Sequence, residues 1–125
     1  MKLTRKDVRG VVVAEIHGKL LGGPSESDKF HKFFKSIIEE GNNNVVVDLH
    51  RTSYANSLGI GMLIGAHTSI SNSGGELVLA NVVDRINGIL VVTQLLLIFK
   101  TFESVDEAVD YLLAKPIASE DASTG

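Results

Sequence analysis

The chain has 125 residues, the usual size of one domain. It is 44% hydrophobic and 22% charged, enough apolar matter for a core, which excludes a chain disordered by composition. A net charge of −3 argues against a general nucleic-acid surface, and the absence of cysteine excludes disulfides and thiolate metal sites.

The N-terminal run MKLTRKDVRG is charged and lacks the apolar segment of a signal peptide. Residues 2–7 and 11–16 read as two strands around Arg9-Gly10, a hairpin whose second strand opens on the β-branched Val11, Val12 and Val13 and ends at Gly18. In LLGGPSESDKFHKFFKSIIEEG, Phe30, Phe33, Phe34, Ile37 and Ile38 recur at helical spacing. Ser25 or Ser27 suits the start of that helix, with Asp28 in its first turn, and Gly41 suits the stop. Lys29, Lys32, Lys35, Glu39 and Glu40 fall off the apolar stripe and read as a solvated face.

Val45 to Leu49 is short, continuous and apolar, as a buried strand is. The segment YANSLGIGML follows it, and a helix is expected from about Ser57 to Ser71 despite Gly59, Gly61 and Gly65. Each interior glycine costs about 0.5–1 kcal/mol against alanine, so close packing against a sheet is the expected reason for them. Gly74-Gly75 make a turn, and Glu76 to Ala80 is another strand. A helix is expected over 82–93, with Val83, Ile86, Leu90 and Thr93 toward the core. Phe99 to Phe102 reads as a last strand. Ser104 and Glu107 then form a capping box before a helix with Val105, Ala108, Val109 and Leu112 on its apolar stripe. The greasy stretch Ile89 to Phe99 is broken by Thr93 and Gln94 and is shorter than the roughly 20 residues a bilayer span needs. A soluble, cytoplasmic protein is expected. Residues 1–113 read as a single domain and 114–125 as a flexible tail. Strands alternating with helices, ββαβαβαβα, imply an α/β domain whose sheet is mixed but mostly parallel.

Ser57 is a candidate nucleophile by position, but A-N-S-L-G is not the G-x-S-x-G elbow, and the spacing of His17, His31, His50 and His67 supplies no base for it. H-E-x-x-H is absent, and the glycines match neither a P-loop nor a well-placed G-x-G-x-x-G. No metal, no cofactor and no enzymatic activity are expected. What remains is the start of a helix at Asn56-Ser57, whose free N–H groups and positive dipole end favour an anion or an acidic partner.

The run VVVDLHRTSYANSLGIGMLIGAHTSISNSGGELVLANV resembles the STAS domain, the fold of bacterial anti-sigma factor antagonists. In that family a strand ending in D-L leads to a D-S-S-G-L-G motif, a helix, a G-G turn and a strand. VVVAEIHGKL resembles the preceding strand with its G-x-L ending. VTQLLLIFKTFESVDEAVDYL resembles the closing segment, normally of the form T-G-L…F…F-x-S-x-x-E-A. The resemblance covers roughly residues 8–113. It implies a mixed, mostly parallel sheet with helices largely on one face. It also implies a partner, an anti-sigma factor of the serine-kinase type, which phosphorylates a serine or threonine at the start of the second long helix and is thereby released.

Carried over residue by residue, the family aspartate falls on Asn56, the first serine on Ser57 and the usual phosphoacceptor on Leu58, while Gly59, Ile60 and Gly61 match G-L-G. The aspartate that often follows G-x-L falls on Leu21. Leu58 has no hydroxyl, so Ser57 is the substitute acceptor, about 100° around the helix from the usual one. Its bland alternative is a helix cap. The partner surface implied by the resemblance comprises Leu21, Gly22, Gly23, Ser25, Asn56, Ser57, Leu58, Gly59 and Ile60. The apolar pair Leu96-Leu97, where the family is commonly polar, suggests a contact with another chain, such as a homodimer. Three roles follow: a protein-interaction module that binds an anti-sigma regulator without the serine switch; a scaffold or oligomeric subunit of a signalling complex or transporter; or a nucleotide- or anion-sensing domain.

Overall fold

The computed structural model describes residues 1–82 and 97–114. Strand β1 (Lys2–Val8) and strand β2 (Val11–Leu20) form an antiparallel hairpin in register from Lys2–His17 to Val8–Val11. Arg9 (φ 52°) and Gly10 (φ 85°) both occupy the left-handed region, as the two-residue turn matched to strand twist requires. Helix α1 (Pro24–Glu39) follows, then β3 (Asn44–Asp48), β4 (Thr52–Ala55), α2 (Ser57–Asn72), β5 (Glu76–Ala80), β6 (Thr101–Phe102) and α3 (Val105–Ala114). Among the described residues the sheet has six strands in the order β1-β2-β3-β5-β6, with β4 paired to β2; every pairing there except β1–β2 is parallel.

Strand alternation divides the core in two. Val12, Ala14, Ile16, Val45, Val47, Leu77 and Leu79 pack with Phe30, Phe34 and Ile37 of α1 and with Ile60, Leu63, Ala66 and Ile70 of α2. Val11, Val13, Val46, Val78 and Ala80 pack with Ala108, Val109 and Leu112 of α3. Two long helices thus share one face and α3 covers the other, where the stripe expected from its sequence is the one buried. Ser104 Oγ accepts the Glu107 N–H at 3.1 Å and opens α3 as the capping signal indicates. Gly41 (φ 87°) ends α1, its N–H donating to Ile38 O and that of Asn42 to Ile37 O, the pattern of a left-handed helix stop.

Several expectations are corrected. Strand β2 does not end at Gly18 but bends there. Gly18 has φ 91°, the register shifts, and the strand leaves β3 for β4, pairing Gly18–Thr52, Lys19–Tyr54 and Leu20–Ala55. Strand β4 itself was not expected. Thr52 anchors it: fully buried, it donates its hydroxyl to Ile16 O at 2.9 Å. Neither Ser25 nor Ser27 caps α1. Pro24 already occupies its first turn, Gly23 holds the cap position and no side chain caps it. Strand β6 is confined to Thr101–Phe102, and Phe99 is buried just before it. Of the helix expected over 82–93, Val82 is described and is not helical; residues 83–93, Leu95, Leu96 and residues 115–125 lie outside the described residues.

The charges expected at the surface of α1 are exposed there. Arg5 of the edge strand donates to both Glu40 oxygens (2.8 and 2.7 Å), tying β1 to the end of α1; these bonds hold the Glu40 carboxyl below its usual range.

The glycines of α2 separate into two kinds. A Cβ on Gly59 would collide with the carbonyl of Leu20, whereas Gly61 and Gly65 are exposed with nothing among the described residues within 4 Å of where a Cβ would lie. Close packing therefore accounts for Gly59 alone. Gly61→Ala is expected to stabilise the protein by about 0.5–1 kcal/mol in urea unfolding. Gly75→Ala, whose Cβ would strike Asn43 O, is expected to cost about 1–3 kcal/mol or more.

Candidate docking site at the start of the second long helix

The site is built where the end of β2 meets the start of α2. Leu20 is buried and pairs with Ala55. Its carbonyl accepts the Asn56 N–H at 3.2 Å and lies against Gly59, so strand and helix come closer than any side chain at 59 would allow. The chain then turns through Gly22 (φ 76°), whose missing Cβ would sit 2.6 Å from Leu58 Cβ. Glu26, in the first turn of α1, closes the turn from the other side. Its Oε1 accepts the N–H groups of Leu21 (3.3 Å) and Gly22 (3.2 Å). Sequence reasoning missed Glu26; a carboxylate a few residues after Gly-Gly was the available signal.

Asn56, not Ser57, caps α2. Its Oδ1 accepts the Gly59 N–H at 2.9 Å, and its extended backbone (φ −105°, ψ −178°) is that of a cap residue. Ser57 is thereby the first residue inside the helix. It is exposed, and its hydroxyl makes no hydrogen bond among the described residues.

The remaining residues sort by exposure. Leu58 is 66% exposed, Tyr54 45% and Leu21 39%. Ser25 is exposed, and Gly22, Gly23 and Asn56 are half-buried. Gly59 and Ile60, placed at the contact surface by sequence, are buried beneath it; Ile60 belongs to the core with Leu63. They support the surface and do not present it. Tyr54 was missed because β4 was missed. Leu97, at 80% exposure, is the most exposed large hydrophobic residue among those described.

Among the described residues, the titratable groups are engaged as follows. His17 Nε2 lies 3.2 Å from the Thr4 hydroxyl, which donates to Glu15, and His67 packs edge-on against Phe99. Asp48 accepts the His50 backbone N–H and the Asn81 amide. No group of three or more potential metal ligands occurs among the described residues, and no helix among them is long and apolar enough to cross a membrane.

The STAS domain family model matches residues 3–108. Among solved structures, the chain is similar to the anti-sigma factor antagonist SpoIIAA in its unphosphorylated form. The two are 17% identical over 91% of this chain and 100% of that one, with a TM-score of 0.71. An anti-sigma factor antagonist from Mycobacterium paratuberculosis is 16% identical, with 89% and 92% of the two chains covered and a TM-score of 0.69. A sulfate transporter family protein from Wolinella succinogenes is 23% identical, with 86% and 88% covered and a TM-score of 0.68. At these identities the likeness is one of fold. The curated proteins give no match.

Asn56→Ala is expected to lower stability by about 1 kcal/mol and Ser57→Ala to change it by less than about 0.5 kcal/mol, as measured by chemical denaturation. The opposite order would return the cap to Ser57.

Proposed function

The chain belongs to the STAS domain family, and from that premise we propose that it is a protein-interaction module of the anti-sigma factor antagonist type. Its partner is a serine-kinase-type anti-sigma factor or related regulator, and it binds without the usual serine switch. The observation that carries the reading is the exposed Leu58 at the head of α2, beside the turn that exposes Leu21. An apolar side chain stands where the family has its phosphoacceptor, and the neighbouring family carboxylates are replaced by Asn56 and Leu21. Apolar anchors surrounded by polar groups are the usual energetic centre of a protein interface. A phosphate adds about −1.5 to −2 charges at such a surface and opposes docking. With no hydroxyl at 58, that route to release is closed, and the module is constitutively competent. Its function is that of a binding domain and not of an enzyme, in the reducing interior of a bacterial cell.

A second reading, a scaffold or oligomeric subunit, is favoured by one observation: Leu97, almost wholly exposed, offers apolar surface to another chain. Light scattering separates the two readings. The oligomeric reading expects an association that Leu97→Glu abolishes; a strict monomer at high concentration, unchanged by that substitution, removes it.

The principal test uses a purified serine-kinase-type anti-sigma factor as the binding partner. Leu58→Asp should weaken binding by roughly tenfold or more in calorimetry, since it puts an unpaired charge into an apolar contact. Its stability should change by less than about 0.5 kcal/mol. With labelled ATP, the unaltered chain should take up no stoichiometric phosphate. Full labelling that disappears in Ser57→Ala would overturn the constitutive version.

A further inference from the structure

A groove of about 670 Å³ runs between α1 and α2, away from the head of α2. Its walls are apolar: Phe30, Phe34 and Ile38 from one helix, Met62 and Ala66 from the other. The volume lies within the roughly 300–1,000 Å³ range of small-molecule sites, which combine an apolar lining with a few placed polar groups. One wall is cut away. Gly65 lines the groove, is exposed and has nothing within 4 Å of where its Cβ would lie. A mid-helix glycine costs about 0.5–1 kcal/mol, and here no packing within the described chain repays it. A body that enters the groove alongside Gly65 supplies the reason.

The rim states the charge of that body. His31 and Lys35 lie one turn apart on α1 at the edge of the groove, followed one turn later by Glu39. Neither Lys35 nor His31 has a hydrogen-bond or ion-pair partner among the described residues, whereas Lys32 on the same helix is paired with Asp28. One free ammonium beside an imidazole attracts an anionic head, and Glu39 beyond them disfavours more than a single negative charge. We infer that the α1–α2 groove binds a free fatty acid, its aliphatic chain along Phe30, Phe34, Ile38 and Met62 and its carboxylate at Lys35 and His31. Nothing in this inference depends on the anti-sigma reading, because the groove lies along the flank of α2 and not at its head.

Titration with sodium decanoate below its micelle concentration, followed by amide chemical shifts, tests it, with decyltrimethylammonium as the cationic control. Saturable shifts centred on Phe34, Ile38, Met62 and Ala66 are expected, with the carboxylate preferred over the cation. Gly65→Leu, which has open space to enter, should weaken decanoate binding by roughly tenfold or more while leaving the melting temperature undiminished. Lys35→Glu should reverse the preference between the two amphiphiles. Several outcomes would overturn the inference: no saturation, shifts centred on Leu21 and Leu58, decanoate affinity indifferent to Gly65→Leu, or equal binding of both amphiphiles. So would a groove that decanoate leaves unperturbed but the kinase-type regulator perturbs, since the groove would then belong to a protein partner.

Discussion

The proposed docking surface depends on how closely the end of β2 approaches the start of α2. The Leu20 carbonyl accepts the Asn56 N–H and lies where a side chain at position 59 would have to go. Glycine at 59 is therefore a condition of the fold at that point. Once the approach is made, the neighbouring geometry follows. Leu20 pairs with Ala55, so β4 has a place only because β2 runs past Gly18. The turn at Gly22 rests on Leu58, and the Asn56 cap lies beside the same junction. A docking surface assembled this way has little left to order when a partner arrives, which lowers the entropic cost of association.

How much of this was legible in the sequence depends on whether a residue's role is set locally. The β1–β2 hairpin could be read because Arg9-Gly10 and the valines after them favour one turn and one strand without reference to distant residues. Helices α1 and α3 could be read because their apolar stripes face one way. Strand β4 could not. Its Thr-Ser-Tyr-Ala run carries two exposed residues between two buried ones, and its pairing exists only after the bulge in β2. The caps failed for a subtler reason. Asn56 and Ser57 are both good cap residues, as are Ser25 and Ser27, and composition does not choose between adjacent candidates. Pro24 was the decisive local signal for α1, since proline fits the first turn of a helix, where its missing N–H costs nothing.

The glycines show the same limit. G-I-G-M-L-I-G suggests a helix pressed against a sheet, and at Gly59 it is. At Gly61 and Gly65 a Cβ would meet none of the described residues within 4 Å. Sequence periodicity places Gly59 and Ile60 near the buried stripe of Leu63, Ala66 and Ile70, but which glycine touches backbone is decided by the neighbouring strand, three dozen residues earlier in the chain. The family resemblance identified the STAS family, whose model matches residues 3–108. It could not say that Ile60 of that motif would be buried, nor that Tyr54 before it would be exposed.

The exchange of polar for apolar groups at Leu21 and Leu58 is also consistent with what surrounds them. Glu26 already places a carboxylate on the N–H groups of Leu21 and Gly22. That turn touches Leu58 directly. The same carboxylate pairs with the Met1 ammonium at 3.3 Å, so its charge is balanced within the fold. Its other oxygen holds the N–H groups of Leu21 and Gly22, so the turn is fixed from inside by Glu26. The apolar surface and the internal carboxylate are thus two parts of one arrangement: the charge is used inside the turn to fix it, and the outside is left apolar, as the proposed docking role requires.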